Sequence, residues 1–347
     1  MAEVLVTGGS GYIGSWCVLA LLAEGHSVRT TVRNPKKEPE LRAMLSTGGA
    51  ADESKVVVLR ADLQRAAGWR EAVDGCDYVL HVASPTLTSP PRNDDEMVIP
   101  ARDGVLHVLR AARETGVKRV VLTSAFGAIG YGHPEATRVF TEADWTNVDG
   151  GIPPYQKSKT LAEKAAWEFV ADGGPELAVV NPVGVFGPVL GADYSPSLGL
   201  VQRMLDGEMP ALPPFASGIV DVRDVADLHL RAMTDPAAAG ERFLAISGHS
   251  LWIREVAVIL RERLGERAAK VPTRELPVWA ARALARVNPG MRTVLPQLGK
   301  NFDATSQKAQ RLLGWSPRPI EDTIVDTAES LLARANVSWL GQGDRRE

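Results

Sequence analysis

The chain of 347 residues carries 39 Lys and Arg against 42 Asp and Glu, a formal charge of -3, with 45% hydrophobic and 23% charged residues. At about 100–200 residues per domain this length suits one large domain with a smaller companion, and the near-balanced charge gives no electrostatic basis for binding nucleic acid or an anionic membrane. Only two cysteines, Cys17 and Cys76, are present, which excludes a disulfide framework and fits a reducing compartment.

The start EVLVTGG has no basic region, apolar run or cleavage site of a signal peptide, and no stretch approaches the roughly 20 apolar residues that span a bilayer. A cytoplasmic protein is expected. VLVTG (4–8) reads as a strand and YIGSWCVLALLAEG as a helix stopped by Gly25. SVRTTVR (27–33), VVVLRADL (56–63) and DYVLHVAS (77–84) read as the next strands, the first two separated by a polar stretch and the third followed by the surface loop TLTSPPRNDDE. A helix is expected from Pro100 to Glu114, with the proline in its first turn. Then come the strand RVVLTS, the amphipathic helix YQKSKTLAEKAAWEFVAD and the strand LAVVNP (177–182).

This alternation predicts an α/β fold, a doubly wound parallel Rossmann sheet with right-handed crossovers. Past Pro188 the texture becomes rich in Gly, Pro and Ser, before IVDVRDVADLHLRAM returns to a strand-then-helix pattern. The division expected is a dinucleotide-binding domain over 1–184, with 218–240 returning to it. A smaller, partly discontinuous substrate domain is expected from 185–217 and 241–335, with a tail at 336–347.

TGGSGYIG places Gly8, Gly11 and Gly14 between a strand and a helix, with Tyr12 and Ile13 opening the helix. A pyrophosphate needs close backbone N–H donors and the positive end of a helix dipole, so this turn predicts a bound dinucleotide. An acid at the end of the second strand would accept bonds from the adenine-ribose hydroxyls. Arg33 stands there instead, with Lys36 and Lys37 close behind. A guanidinium binds a 2′-phosphate that a carboxylate would repel, which favours NADP(H). Asp62, with Leu63 beside it, either accepts a bond from the adenine amino group or caps a helix.

Tyr155 and Lys159 stand four residues apart on a predicted helix and project from one face. A phenol with a reference pKa near 10 is a poor acid at neutrality, and a neighbouring ammonium brings its proton within reach of transfer. The histidines do not cluster at metal-ligand spacing, and no metal is expected. His81, Trp69, Trp145 and Trp167 read as core, Glu163 and Lys157 as helix-surface charges.

TGGSGYIG, Arg33, HVASP, VVLTSAF, YQKSKTLAEKAAW and NPVGVFGP together resemble the extended short-chain dehydrogenase/reductases, in the branch of dihydroflavonol 4-reductases, cinnamoyl-CoA reductases and microbial aldehyde or ketone reductases. The resemblance covers the chain firmly to about Pro188 and loosely beyond. It implies NADPH-dependent reduction of a small carbonyl substrate, with Tyr155 as proton donor and Lys159 binding ribose. It further implies that Val82, Ala83, Ser84 and Thr123 line the cofactor and that Pro182 and Val183 border the nicotinamide. In that family the fifth strand ends Thr-Ser-Ser; here Thr123 and Ser124 match the first two positions and Ala125 falls on the catalytic one. Ser124 is therefore the serine candidate, and Ser84, Thr123, a backbone N–H or a water are its rivals. Ser84, Ala125, Phe186, Tyr194 and Phe215 are the substrate-pocket candidates. Two other readings stay open, a nucleotide-sugar epimerase or dehydratase and a weakly catalytic NADP(H)-binding sensor, and so does a homodimer.

Overall fold

The computed structural model describes residues 1–85, 91–134, 137–191, 195–287 and 294–343. Five short apolar runs form β1 (Glu3–Thr7), β2 (Ser27–Val32), β3 (Val56–Arg60), β4 (Tyr78–His81) and β5 (Arg119–Thr123). They are followed by β6 (Thr137–Phe140), β7 (Glu176–Pro182), β8 (Gly184–Phe186), β9 (Ala216–Ser217), β10 (Ile219–Asp221), β11 (Arg242–Ala245), β12 (Leu251–Trp252) and β13 (Asn301–Ala304). Seven of these make one sheet in the order β11-β7-β5-β4-β1-β2-β3, and every pairing in it is parallel. The strand order reverses beside β1, which opens a crevice at the C-terminal strand ends between β1 and β4.

A parallel sheet is buried on both faces, so its central strands carry near-continuous apolar runs; all five residues of β5 are buried. The helices are α1 (Tyr12–Ala23), α2 (Glu38–Thr47), α3 (Trp69–Val73), α4 (Asp95–Thr115), α5 (Pro154–Ala171), α6 (Pro196–Asp206), α7 (Val222–Thr234), α8 (Ile253–Leu264) and α9 (Val278–Val287), before two more at Gln307–Leu313 and Ile320–Gly343. Cys17, Val18 and Leu21 of α1 pack with Val225 and Leu228 of α7 against one face. Trp69 of α3, Val105 and Leu109 of α4, and Ala162 and Ala166 of α5 cover the other. Outside the main sheet, β8 pairs with β10, β6 with β13, and β9 with β12.

Two expectations are corrected. Helix α4 begins at Asp95, so Pro100 lies in its second turn, where it forgoes the bond to the Glu96 carbonyl. Arg242–Ala245 pairs with β7 as an edge strand of the main sheet, so a boundary at 241 cuts that sheet. Sequence texture alone could not show this, because the strand is short and its partner lies about sixty residues away in the chain.

The turn after β1 is tied down on three sides. The backbone N–H groups of Gly8 and Gly9 donate to the hydroxyls of Thr31 and Thr30 on β2 at 3.2 and 3.0 Å, and Gly11 N–H donates to the Gly8 carbonyl at 2.9 Å. Gly8 has φ +70, and a side chain there would meet Ala83 at 3.0 Å. A Cβ on Gly14 would overlap the Gly8 carbonyl oxygen and come within 2.9 Å of its carbonyl carbon, where only backbone could yield. Gly14→Ala is therefore expected to lower the unfolding free energy by about 1–3 kcal/mol, measured by denaturant titration; an unchanged midpoint would show that the turn relaxes freely.

Candidate active site

The predicted cofactor residues come together along the C-terminal edge of the sheet. Helix α1 opens at Gly11 with no side chain capping it and no acid in its first turn. The N–H groups of that turn thus keep an uncapped positive dipole end, the chemistry that a pyrophosphate requires. Tyr12 contributes only backbone: its phenol donates to the Gly187 carbonyl at 2.8 Å, and burial, helped by Asp221, raises its pKa far above the ordinary phenol value. This side chain fastens α1 to the strand β8 exit, as does Trp16 through the Pro188 carbonyl at 3.1 Å.

Arg33 follows β2 directly and is exposed, and no ion pair among the described residues engages it, whereas Lys37 stands 3.7 Å from Glu40. Asp62, just past β3, accepts from the Gln64 N–H at 3.1 Å and so closes a turn, while Leu63 is buried beside Gly104 of α4. Past β4, Ala83 N–H donates to the Thr7 hydroxyl at 3.0 Å, with Val82, Ala83 and Ser84 half-buried along the crevice. Pro182 ends β7 and Val183 N–H donates to the Ala245 carbonyl at 3.2 Å.

Tyr155 lies in the first turn of α5 and Lys159 one turn later. The tyrosine is 45% exposed, the lysine 9%. Lys159 Nζ donates to the Thr123 carbonyl at 3.4 Å; burial pushes its pKa down to about 8, opposed by the carboxylate of Glu163. The surrounding protein pushes Tyr155 up to about 12, with Tyr131 the second cause. The shift is upward, so the phenol is in its protonated form at neutral pH.

Ser124 Oγ is buried and finds no partner among the described residues. It lines a small cavity of about 20 Å³ together with His81, Ser84, Thr123, Lys159 and Glu163. Strand alternation explains the outcome at β5: Thr123 points to the opposite face, where its hydroxyl donates to His229 Nε2 at 2.7 Å, because His229 Nδ1 is committed to the Val225 carbonyl at 2.7 Å. The Thr123 hydroxyl is thus committed to His229, while its carbonyl accepts from Lys159 on the cavity side. Ala125 stands at 9% exposure with extended backbone. Phe186 and Phe215, at 3% and 6% exposure, are packed in the main core rather than presented to substrate, which corrects that expectation. Tyr194 lies outside the described residues.

Glu163 is the largest correction. It is fully buried, not a surface charge: its carboxylate accepts from Arg242 Nε at 2.5 Å, Asn181 Nδ2 at 2.8 Å and Trp167 Nε1 at 3.3 Å. Positions 155, 159 and 163 share a helical face, a signal that was present in the sequence; Arg242 and Asn181 are distant in the chain and gave none. Trp145 lies under the Arg242 guanidinium at 3.7 Å, and Lys157 pairs with Asp94 at 2.7 Å. His81, buried and held neutral by a pKa near 3, shares a hydrogen bond with Thr7 at 2.9 Å. No cluster able to hold a metal occurs among the described residues, and no described helix is long and apolar enough to cross a membrane.

Comparison with known proteins identifies the family. The profile of the NAD dependent epimerase/dehydratase family matches residues 4–245. Cinnamoyl-CoA reductase 1 of Arabidopsis thaliana is 39% identical over 249 residues, covering 70% of each chain. Dihydroflavonol 4-reductase of Zea mays is 34% identical over 275 residues, 76% of this chain and 74% of that protein. Among solved structures, yeast methylglyoxal/isovaleraldehyde reductase Gre2 complexed with NADPH superposes with a TM-score of 0.79 at 27% identity, over 96% of this chain and 99% of that one. With its seven-stranded parallel sheet, glycine turn and Tyr155–Lys159 pair, this chain belongs to the NAD dependent epimerase/dehydratase family, the extended short-chain dehydrogenase/reductases.

Proposed function

We propose that this protein is an NADPH-dependent reductase that converts an aldehyde or ketone to its alcohol. The observation that carries the reading is the pair Tyr155 and Lys159, one turn apart on α5, with Lys159 bonded to the carbonyl at the end of β5, in a chain whose α1 opens uncapped after the glycine turn. Relatives named as reductases, one of them complexed with NADPH, support it.

In this reading the Gly8–Gly14 turn and the first N–H groups of α1 hold the pyrophosphate, and Arg33, aided by Lys37, holds the 2′-phosphate. NADPH, when bound, supplies a hydride to the carbonyl carbon. Tyr155 donates its proton to the carbonyl oxygen; an alkoxide is the stronger base, so the transfer runs from phenol to substrate. Lys159 holds ribose hydroxyls and stabilises the phenolate left behind, a role that requires its ammonium form. Substrate lies between this edge and the elements that follow Pro188.

Ala125 leaves the carbonyl oxygen without the usual serine hydroxyl, and Ser124 lines the small cavity that Lys159 also lines. The oxygen then rests on Tyr155 as its side-chain donor.

Tyr155→Phe is expected to lower kcat about 10²–10⁴-fold while NADPH binding by fluorescence titration is unchanged; turnover comparable to the parent would sink the assignment. Arg33→Asp should weaken NADPH about 10–100-fold and leave NADH no worse, read from KM for the two coenzymes. Ala125→Ser should raise kcat about tenfold or more by restoring an oxyanion donor, and a variant no faster than the parent would show that another group already fills that role.

A further inference from the structure

Resting on the reductase reading, we propose that Glu163 is a positioning residue of the site. Its buried carboxylate fastens the helix face bearing Tyr155 and Lys159 to the end of β5 and stands as the counter-charge to Lys159.

The network has two ends. On one side, Arg242 is fixed independently of Glu163: its Nη1 donates to the Glu142 and Asp144 carbonyls, each at 2.9 Å, and its guanidinium lies on Trp145. On the other, Asn181 of β7 uses one Nδ2 group for both the Glu163 carboxylate, at 2.8 Å, and the Ala125 carbonyl, at 3.3 Å. Glu163 thus splits its two oxygens between an anchored cation and an amide that grips the peptide of Ala125. A chain of contacts runs from β11 through α5 and β7 to the strand end where the substrate oxygen is handled.

The charges point the same way. Arg242, Glu163 and Lys159 are 7%, 0% and 9% exposed, two cations against one carboxylate. Around Lys159, β4 contributes His81, which is neutral, and α4 contributes the apolar Ala101 and Val105. On α5, Tyr155 precedes the lysine by one turn as a protonated phenol, β5 adds the Thr123 carbonyl, and Ser124 just after it adds a hydroxyl-bearing side chain. From β11, Arg242 stands behind Glu163. Among the described residues, Glu163 is the one carboxylate lining the cavity that Lys159 shares. Were it present only to neutralise Arg242, removing both would leave Lys159 untouched; as counter-charge to the lysine, it could not be removed silently.

The test follows the Nζ resonance of Lys159 in full-length protein labelled with 15N-lysine, assigned with Lys159→Arg. Lys159 should titrate near 8 in the parent. In Glu163→Gln the midpoint should fall by about one unit or more, since an opposite charge has been withdrawn. The double variant Glu163→Gln/Arg242→Gln, which spares the arginine an unpaired burial and keeps the test usable if the single variant does not fold, should show the same fall. Arg242→Gln alone should show none. Because reduction needs the ammonium, the alkaline limb of the kcat profile should move to lower pH by the same amount in both Glu163 variants. A double variant whose Lys159 titrates like the parent overturns the proposal. The resonance needs neither coenzyme nor substrate, so a failure of the reductase reading, seen as no NADPH consumption by the parent, stays separate from this result.

Discussion

A lysine ammonium held nine-tenths out of water is the constraint around which this site is arranged. Removing such a charge from solvent is costly unless neighbouring dipoles and charges replace the lost hydration. Here the replacement is local: the carbonyl of Thr123 at the end of a fully buried strand, and a carboxylate one helical turn down the same helix. Both depend on α5 packing flat against β5 and β7, which in turn depends on the small and apolar residues Ala162 and Ala166 against Val120, Leu122 and Val179. The same helix carries Tyr155 in its first turn, where the residue is 45% exposed.

The second end of the molecule is built on backbone rather than charge. The turn after β1 is shaped by threonine hydroxyls reaching from β2 and by glycines at positions where a side chain would strike Ala83 or the turn itself. Because α1 is anchored through Tyr12 and Trp16 to the segment after β8, and that segment is bonded in turn by Thr327 and Ser330 of the final helix, the dinucleotide turn and the chain beyond Pro188 are mechanically joined.

Much of this was legible in the sequence, for identifiable reasons. The alternating apolar runs gave the parallel sheet because its strands are buried on both faces, and the glycine spacing and the Tyr155–Lys159 interval encode local geometry. What sequence reading missed was non-local. Glu163 looked like a surface charge because its partner Arg242 enters from an edge strand 79 residues away. Phe186 and Phe215 looked like loop aromatics because the core they fill is assembled from segments far apart in the chain. The orientations of Thr123 and Ser124 followed from strand alternation, but which face held His229 and which the cavity needed the fold itself.

The claim at the centre is a one-way delivery of hydride to a carbonyl carbon with proton transfer from Tyr155. It is tested most directly by incubating the protein with an aldehyde and NADPH deuterated at the transferable C4 position, then locating the label by mass spectrometry. The account predicts an alcohol carrying one deuterium on its carbinol carbon and an oxidised coenzyme that has lost it. Label that stays in the coenzyme with no alcohol formed, or that returns to it after a turnover, would contradict the account.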